Sequence, residues 1–103
     1  MGRPIVRPAA KRDLIRHFAY IGQNSSLAVA RRFLAAARLT FDDLAQTPGM
    51  GAARRVGRFS NLRMWRIRDF EKYMIFYEAS GQGVEILRII HAAQDYNRIL
   101  NKP

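Results

Sequence analysis

The sequence predicts an α+β fold in a single domain over residues 1–103. Apolar side chains recur at helical spacing in the first half of the chain, whereas the second half holds short runs rich in β-branched and aromatic residues. The connections are also short, which makes consecutive helices or strands antiparallel neighbours. The expected order is an N-terminal strand, an antiparallel two-helix hairpin, a three-strand antiparallel meander and a short C-terminal helix.

The chain is predicted to begin with a strand and a helix. Residues 3–8 (Arg-Pro-Ile-Val-Arg-Pro) indicate a short edge strand, because proline cannot donate a hydrogen bond to a sheet. A helix over residues 9–22 follows, since its apolar stripe has helical spacing at Leu14, Phe18 and Ile21.

A second helix is the clearest element of the sequence. The helical period continues from about residue 26 to residue 46, and Ser25 or Ser26 is expected to be its N-cap. Pro48 and Gly49 end it. The short turn before this helix predicts that both helices form an antiparallel hairpin.

The second half of the chain is predicted to form the meander. Residues 49–61 indicate a basic loop, with a short strand as an open alternative. Strands are expected at Leu62–Arg68, Tyr73–Ala79 and Val84–His91, and a short helix at 92–101. The last two strands are joined by Ser-Gly-Gln-Gly, which is typical of a tight turn.

Both faces of the predicted meander are apolar. In the middle strand Tyr73, Ile75 and Tyr77 are opposite Met74 and Phe76, and in the last strand Ile86 and Ile90 are opposite Leu87 and Ile89. The helix hairpin covers one face, and only a short helix remains for the other. We therefore expect a leftover apolar surface that marks an interaction site, the alternative being that the final helix covers it.

The charge of the chain is strongly unbalanced. There are 18 basic and 8 acidic residues, which gives a formal net charge of +10 and a pI of about 11.3. Such a charge favours binding to a polyanion, whether nucleic acid, ribosome, acidic protein or anionic membrane. The preference for arginine suits bidentate contacts with phosphate or carboxylate, although a GC-rich genome also favours arginine codons.

The composition also excludes several classes of protein. The chain has no cysteine, so disulfides and thiolate metal sites are absent. It lacks the spacing of a metal site, a phosphate-binding glycine loop and a nucleophile elbow, and we expect neither metal nor cofactor. Its apolar runs are too short to cross a bilayer and the N-terminus is no signal peptide, which predicts a soluble cytoplasmic protein without membrane contact.

A basic cluster with interleaved aromatic residues lies between positions 54 and 72. Arginine can contact phosphate while aromatic rings stack on bases, so the cluster predicts an anion-binding or target-binding surface. Strand alternation places Arg66 and Arg68 on one face and Arg63, Trp65 and Ile67 on the other. A solvated outer face is the alternative. The candidate anion-binding residues are Arg54, Arg55, Arg58, Arg63, Arg66, Arg68 and Arg88.

Arg88 lies inside an apolar strand, where it needs a counter-charge such as Glu78 or Glu71, or must open onto a cleft. His91 ends the same strand and Tyr96 follows. Together with arginine these groups form a candidate set for RNA cleavage, in which His91 or Tyr96 moves protons and the cations stabilise the phosphorane. A hydrogen-bonded structural role is the alternative for His91.

Several stretches in order along the chain resemble the RelE/ParE toxin superfamily, also called plasmid stabilisation proteins. They are Ala10-Lys-Arg-Asp13-Leu14, Ala30-Arg-Arg-Phe33, Leu44-Ala-Gln-Thr-Pro48-Gly-Met-Gly51, Leu62-Arg63, Tyr73-Met-Ile-Phe-Tyr77 and Ile86-Leu-Arg-Ile-Ile-His91-Ala-Ala-Gln-Asp95. The resemblance covers nearly the whole chain. It implies the RelE/ParE-like fold and the toxin of a type II toxin–antitoxin system.

The ending Arg-x-x-His-x-x-x-Asp is most similar to the ParE branch, which implies growth inhibition by binding DNA gyrase, without an enzymatic step. The RelE branch implies instead a ribosome-dependent endoribonuclease, for which the catalytic candidates are Arg66, Arg88, His91 and Tyr96, with Arg68 as a further basic group. The implied partner is an acidic antitoxin with an initially disordered amphipathic segment. The resemblance also implies that operator DNA is contacted only through the antitoxin. A plain nucleic-acid-binding module is the third hypothesis, although the sequence contains no basic recognition helix.

Overall fold

The computed structural model describes residues 2–101, which form a five-stranded sheet between a helix hairpin and one short helix. The elements are β1 (Arg3–Val6), α1 (Pro8–Asn24), α2 (Leu27–Gln46), a 3₁₀ turn (Pro48–Met50), β2 (Ala52–Val56), β3 (Phe59–Ile67), β4 (Phe70–Ser80), β5 (Gly83–His91) and α3 (Tyr96–Leu100). The strand order is β1-β5-β4-β3-β2, with β1 parallel to β5 and the other neighbours antiparallel. The predicted α+β fold is confirmed.

Each helix of the hairpin begins at a residue suited to a helix start, and the N-cap of α2 is one of the two serines that the sequence predicts. Pro8 opens α1, where its missing N–H and fixed φ are tolerated. Ser26 is the N-cap of α2, and its Oγ accepts a hydrogen bond from the Val29 N–H at 3.1 Å. Within residues 2–101, no helix combines the length and the apolar content needed to span a membrane.

The meander contains one strand more than the sequence predicts. The basic segment after α2 includes β2, which pairs with β3 from Ala52–Met64 to Val56–Phe59. Alanine and arginine give β2 little strand propensity, so its pairing with β3 determines its conformation. At the C-terminus α3 is shorter than expected and begins at Tyr96, because the Asp95 carboxylate caps it by accepting from the Arg98 N–H at 3.3 Å.

A β-bulge in β5 changes which side chains share a face. Tyr77 pairs with Ile86 and Phe76 pairs with Arg88, so Leu87 is an extra residue. Ile86 and Ile89 therefore pack under the helix hairpin, whereas Leu87 and Ile90 pack on the opposite side of the sheet. The prediction that Ile86 shares a face with Ile90 is wrong, because the bulge shifts the alternation by one residue.

The second sheet face is not left open. Its apolar residues form a separate small core with α3, in which six residues are at most 5% exposed: Val56, Leu62, Met74, Phe76, Ile90 and Leu100. The expected leftover sheet surface is therefore absent from the described part of the chain, because α3 and the β2–β3 hairpin cover it. Large exposed apolar side chains lie mostly on the helices instead, at Ile15, Tyr20, Leu27 and Leu39.

Candidate functional site

Arg88 is paired with a buried aspartate of α1. Its Nε and Nη2 donate to the two Asp13 oxygens at 2.7 and 2.9 Å, and Asp13 is 1% exposed. Arg16 Nη2 donates to the same carboxylate at 2.6 Å. The counter-charge of Arg88 is thus Asp13 and neither Glu78 nor Glu71. Because β1 pairs with β5 only as far as Ile86, α1 lies along the rest of this edge, where Asp13 also accepts from the Ile89 N–H. This hydrogen bonding raises the pKa of Arg88 further, so it remains charged.

Asp13 and His17 also form hydrogen bonds to the backbone of β5, at a part of the strand that β1 does not reach. The β1–β5 pairing ends at Val6–Ile86, and three residues later the Ile89 N–H donates to Asp13 at 2.9 Å. His17 Nε2 donates to the Ile89 carbonyl at 2.8 Å. Burial lowers the pKa of His17, which keeps the imidazole neutral as this donor. This pair was not predicted from the sequence, although the two residues lie one helical turn apart in the buried stripe of α1.

His91 and Tyr96 are engaged in packing and turn contacts. His91 Nδ1 accepts from the Ala93 N–H at 3.0 Å, and its ring meets Tyr73 edge-to-face with centroids 4.8 Å apart. The Tyr73 ring also packs edge-to-face with the His17 ring, with centroids 4.9 Å apart, and burial raises the pKa of Tyr73. The Tyr96 ring lies against Phe76 with centroids 5.2 Å apart.

Three arginines of the basic cluster bind within the chain. Arg63 Nη1 donates to the Gly51 carbonyl at 2.7 Å, and Arg66 Nη1 donates to the Glu71 carbonyl at 2.7 Å. Arg68 pairs with Asp43 of α2 at 2.5 Å. Because β3 ends at Ile67, Arg68 turns to α2. Arg66 pairs with Met74, whose side chain packs in the α3-side core. The prediction that Arg66 and Arg68 share a face is wrong.

The other three cluster arginines lie on the β2–β3 hairpin. Arg54 donates to the carbonyl of the adjacent Ala53, while Arg58 lies over the Phe59 ring, 5.1 Å from its centroid. Within residues 2–101, none of Arg54, Arg55 and Arg58 forms an ion pair. Their charges are available to a partner.

The structure does not bring the four RNA-cleavage candidates into one cavity. Arg66 lines a cleft of about 680 Å³ between α2 and the β3 edge, and Arg88 lines a separate cavity of about 260 Å³. Neither cavity is lined by His91 or Tyr96. Among the described residues there is also no group of three or more potential ligands that could hold a metal ion.

A third cavity is an apolar groove between the two long helices, with a volume of about 460 Å³. Ile15, on its α1 side, is 69% exposed. Lys11 and Arg38 add positive charge. The remaining lining residues are all apolar: Val6, Leu14, Phe18, Leu34 and Phe41. An apolar groove with cationic residues suits an acidic amphipathic segment.

Comparison with known proteins agrees with this architecture. A solved structure titled "Chromosomal ParDE TA system from P. aeruginosa" has the same fold, with a TM-score of 0.73 and 18% sequence identity over 88% of this chain and 96% of the other. A search of curated proteins gave no match. Residues 5–96 match the family described as the ParE toxin of the type II toxin–antitoxin system parDE. The chain therefore belongs to the ParE toxin family of type II toxin–antitoxin systems.

Proposed function

We propose that this toxin acts in the cytoplasm by binding and inhibiting DNA gyrase, without catalysing a reaction, and that a cognate acidic antitoxin neutralises it. The family membership supports the toxin role. Inhibition by binding is supported by the contacts of the RNA-cleavage candidates within the chain. Arg88 is bound to Asp13, the His91 ring accepts a hydrogen bond within its own turn, and the Tyr96 ring lies against Phe76. An endoribonuclease would need these groups to surround one phosphate.

The target assay compares two activities of the purified chain. We expect it to abolish supercoiling by gyrase and to leave messenger RNA intact in a translating extract. Arg66→Ala and His91→Ala are expected to stay toxic, since neither removes a buried ion pair. Cleavage of messenger RNA that is lost in both variants while they remain folded would instead establish the RelE-type endoribonuclease.

The helix groove is the proposed antitoxin site. Its apolar lining and the nearby Lys11 and Arg38 complement an acidic amphipathic segment, and the charge of +10 accelerates association with it. The antitoxin would then be the component that contacts operator DNA. Because the second sheet face is covered by α3, the helices offer the larger exposed apolar side chains.

Ile15→Glu tests the groove, since it places a carboxylate where an acidic segment must bind. We expect a toxin that still arrests growth but escapes neutralisation by co-expressed antitoxin. Ala28→Glu is the matched control, because Ala28 is exposed on α2 and does not line the groove. If Ile15→Glu is neutralised as fully as Ala28→Glu, the antitoxin binds elsewhere.

A further inference from the structure

A small cavity beside the Arg88–Asp13 pair is lined by three arginines from three separate parts of the chain. Arg7 precedes α1, Arg58 lies in the β2–β3 turn and Arg88 lies in β5. The apolar part of the lining comes from Phe59, Leu87, Ile99 and Leu100, and the first turn of α1 contributes Pro8 and Ala9. The volume is about 260 Å³, which is small for an organic ligand.

Each of the three guanidinium groups keeps hydrogen-bond donors that no described residue uses. Arginine has five N–H donors. Arg7 uses Nη1 to bind Glu85 at 2.7 Å, and Arg88 uses Nε and Nη2 to bind Asp13. Arg58 stacks on Phe59 and donates to no residue within 2–101. Donors from three separate parts of the chain thus remain available around one cavity.

The local charge is also positive after all ion pairs are counted. Asp13 is shared by Arg88 and Arg16, and Glu85 pairs with Arg7. With Arg58 there are four arginines against two carboxylates, a local excess of two positive charges. The first turn of α1 contains no acidic residue that would reduce this excess.

The number of the donors and their origin in three parts of the chain favour phosphate over carboxylate. A carboxylate presents only two oxygens, and its acceptor sites lie close to one plane. A phosphate group presents oxygens in several directions and so can accept from three arginines at once. We propose that Arg7, Arg58 and Arg88 form a phosphate-binding site for the phosphodiester backbone of DNA. The inference rests on the proposed function, because gyrase holds the DNA that the bound toxin would contact.

The neighbouring residues support a polymer in preference to a single free phosphate. Arg54 and Arg55 lie on the same hairpin as Arg58 and have no ion pair within residues 2–101. Adjacent phosphates of a duplex can engage them while one phosphate occupies the cavity. Such contacts bind the backbone without reading the base sequence.

The test uses the whole chain and a short fluorescein-labelled DNA duplex, with binding measured by anisotropy at several salt concentrations. We expect Arg58→Ala to weaken binding at least about tenfold and to reduce the salt slope by about one. Arg58→Lys is expected to retain the slope and lose part of the affinity, because it keeps the charge but not the planar fork. Arg31→Ala removes the same charge from exposed α2 and is expected to change affinity less than about twofold.

Three outcomes would contradict the proposal that this cavity binds the DNA backbone. Equal losses in Arg58→Ala and Arg31→Ala would show that only the overall charge binds DNA. Arg58-dependent binding of inorganic pyrophosphate that does not compete with the duplex would assign the cavity to free phosphate. Weaker binding of Arg58→Ala to gyrase without DNA, with unchanged duplex binding, would assign it to protein. Because supercoiling is assayed separately, failure to inhibit gyrase refutes the proposed target and not the duplex-binding site.

Discussion

Replacing Asp13 by alanine is expected to be the most destabilising single truncation of a polar side chain in this fold. The carboxylate is 1% exposed and accepts from Arg88 twice, from Arg16 and from the Ile89 N–H. Asp13→Ala leaves a partly buried guanidinium without its counter-charge and a buried N–H without an acceptor. Both defects arise at the contact that joins α1 to the C-terminal half of β5.

The loss of stability in Asp13→Ala can be estimated from the exposure of the groups that lose their partner. Removing one partner of a buried ion pair costs about 3–5 kcal/mol, and the Arg88 side chain is 25% exposed, so about 3 kcal/mol applies. The unpaired N–H of Ile89, itself 1% exposed, adds about 1 kcal/mol. A total of about 4 kcal/mol approaches the lower end of the range of about 5–15 kcal/mol that is typical of the free energy of unfolding of a domain. It corresponds to a fall in Tm on the order of 20 °C for this chain length.

The assay is equilibrium unfolding in urea, followed by circular dichroism. It compares the wild type with Asp13→Ala, Arg88→Ala and the double variant. Asp13→Ala and Arg88→Ala are each expected to destabilise strongly, and together they should cost less than the sum by at least about 2 kcal/mol. Asp42→Ala is the control, because Asp42 is exposed on α2 and forms no ion pair within residues 2–101; we expect a change within about 0.5 kcal/mol. A cost below about 1 kcal/mol for Asp13→Ala, or additive single variants, would refute the reasoning.

Three further predictions concern other contacts. Burial lowers the pKa of His17 below 6.5, so the unfolded chain binds more protons and stability falls as the pH drops through 6.5; His17→Gln should flatten this slope in urea titrations. Tyr77→Phe should lower the free energy of unfolding in urea by about 2–3 kcal/mol, since the hydroxyl of this buried tyrosine donates to one backbone carbonyl and accepts from one backbone N–H. Tyr20→Phe, at a 61% exposed site, should leave the stability unchanged. Ser26→Ala should lose about 1 kcal/mol of stability as α2 loses its cap, and an equal loss in Ser25→Ala would contradict that role.

The contacts of the candidate site residues could be predicted from the sequence only in part. The basic cluster is visible in the sequence, but the intrachain partners of its arginines are not, because those partners lie far away in the chain. Arg68 meets Asp43, which is 25 residues earlier, and Arg88 meets Asp13, which is 75 residues earlier. Arg7 lies outside the predicted cluster and lines the proposed phosphate site only because β1 places it beside β5.

The sequence by itself determined the order and type of the main elements. Helical period, caps and turn residues are local properties, and they located both long helices, the edge strand and the three longest strands. Tertiary structure alone decided the rest. The β5 bulge moved Ile90 to the other face, pairing made β2 a strand, and α3 covered the second sheet face. The bulge and β2 depend on pairing between neighbouring strands, which the residues of one strand do not determine by themselves. The packing of α3 and the binding of Arg88 to Asp13 depend on residues distant in the chain, and these contacts have no local signature.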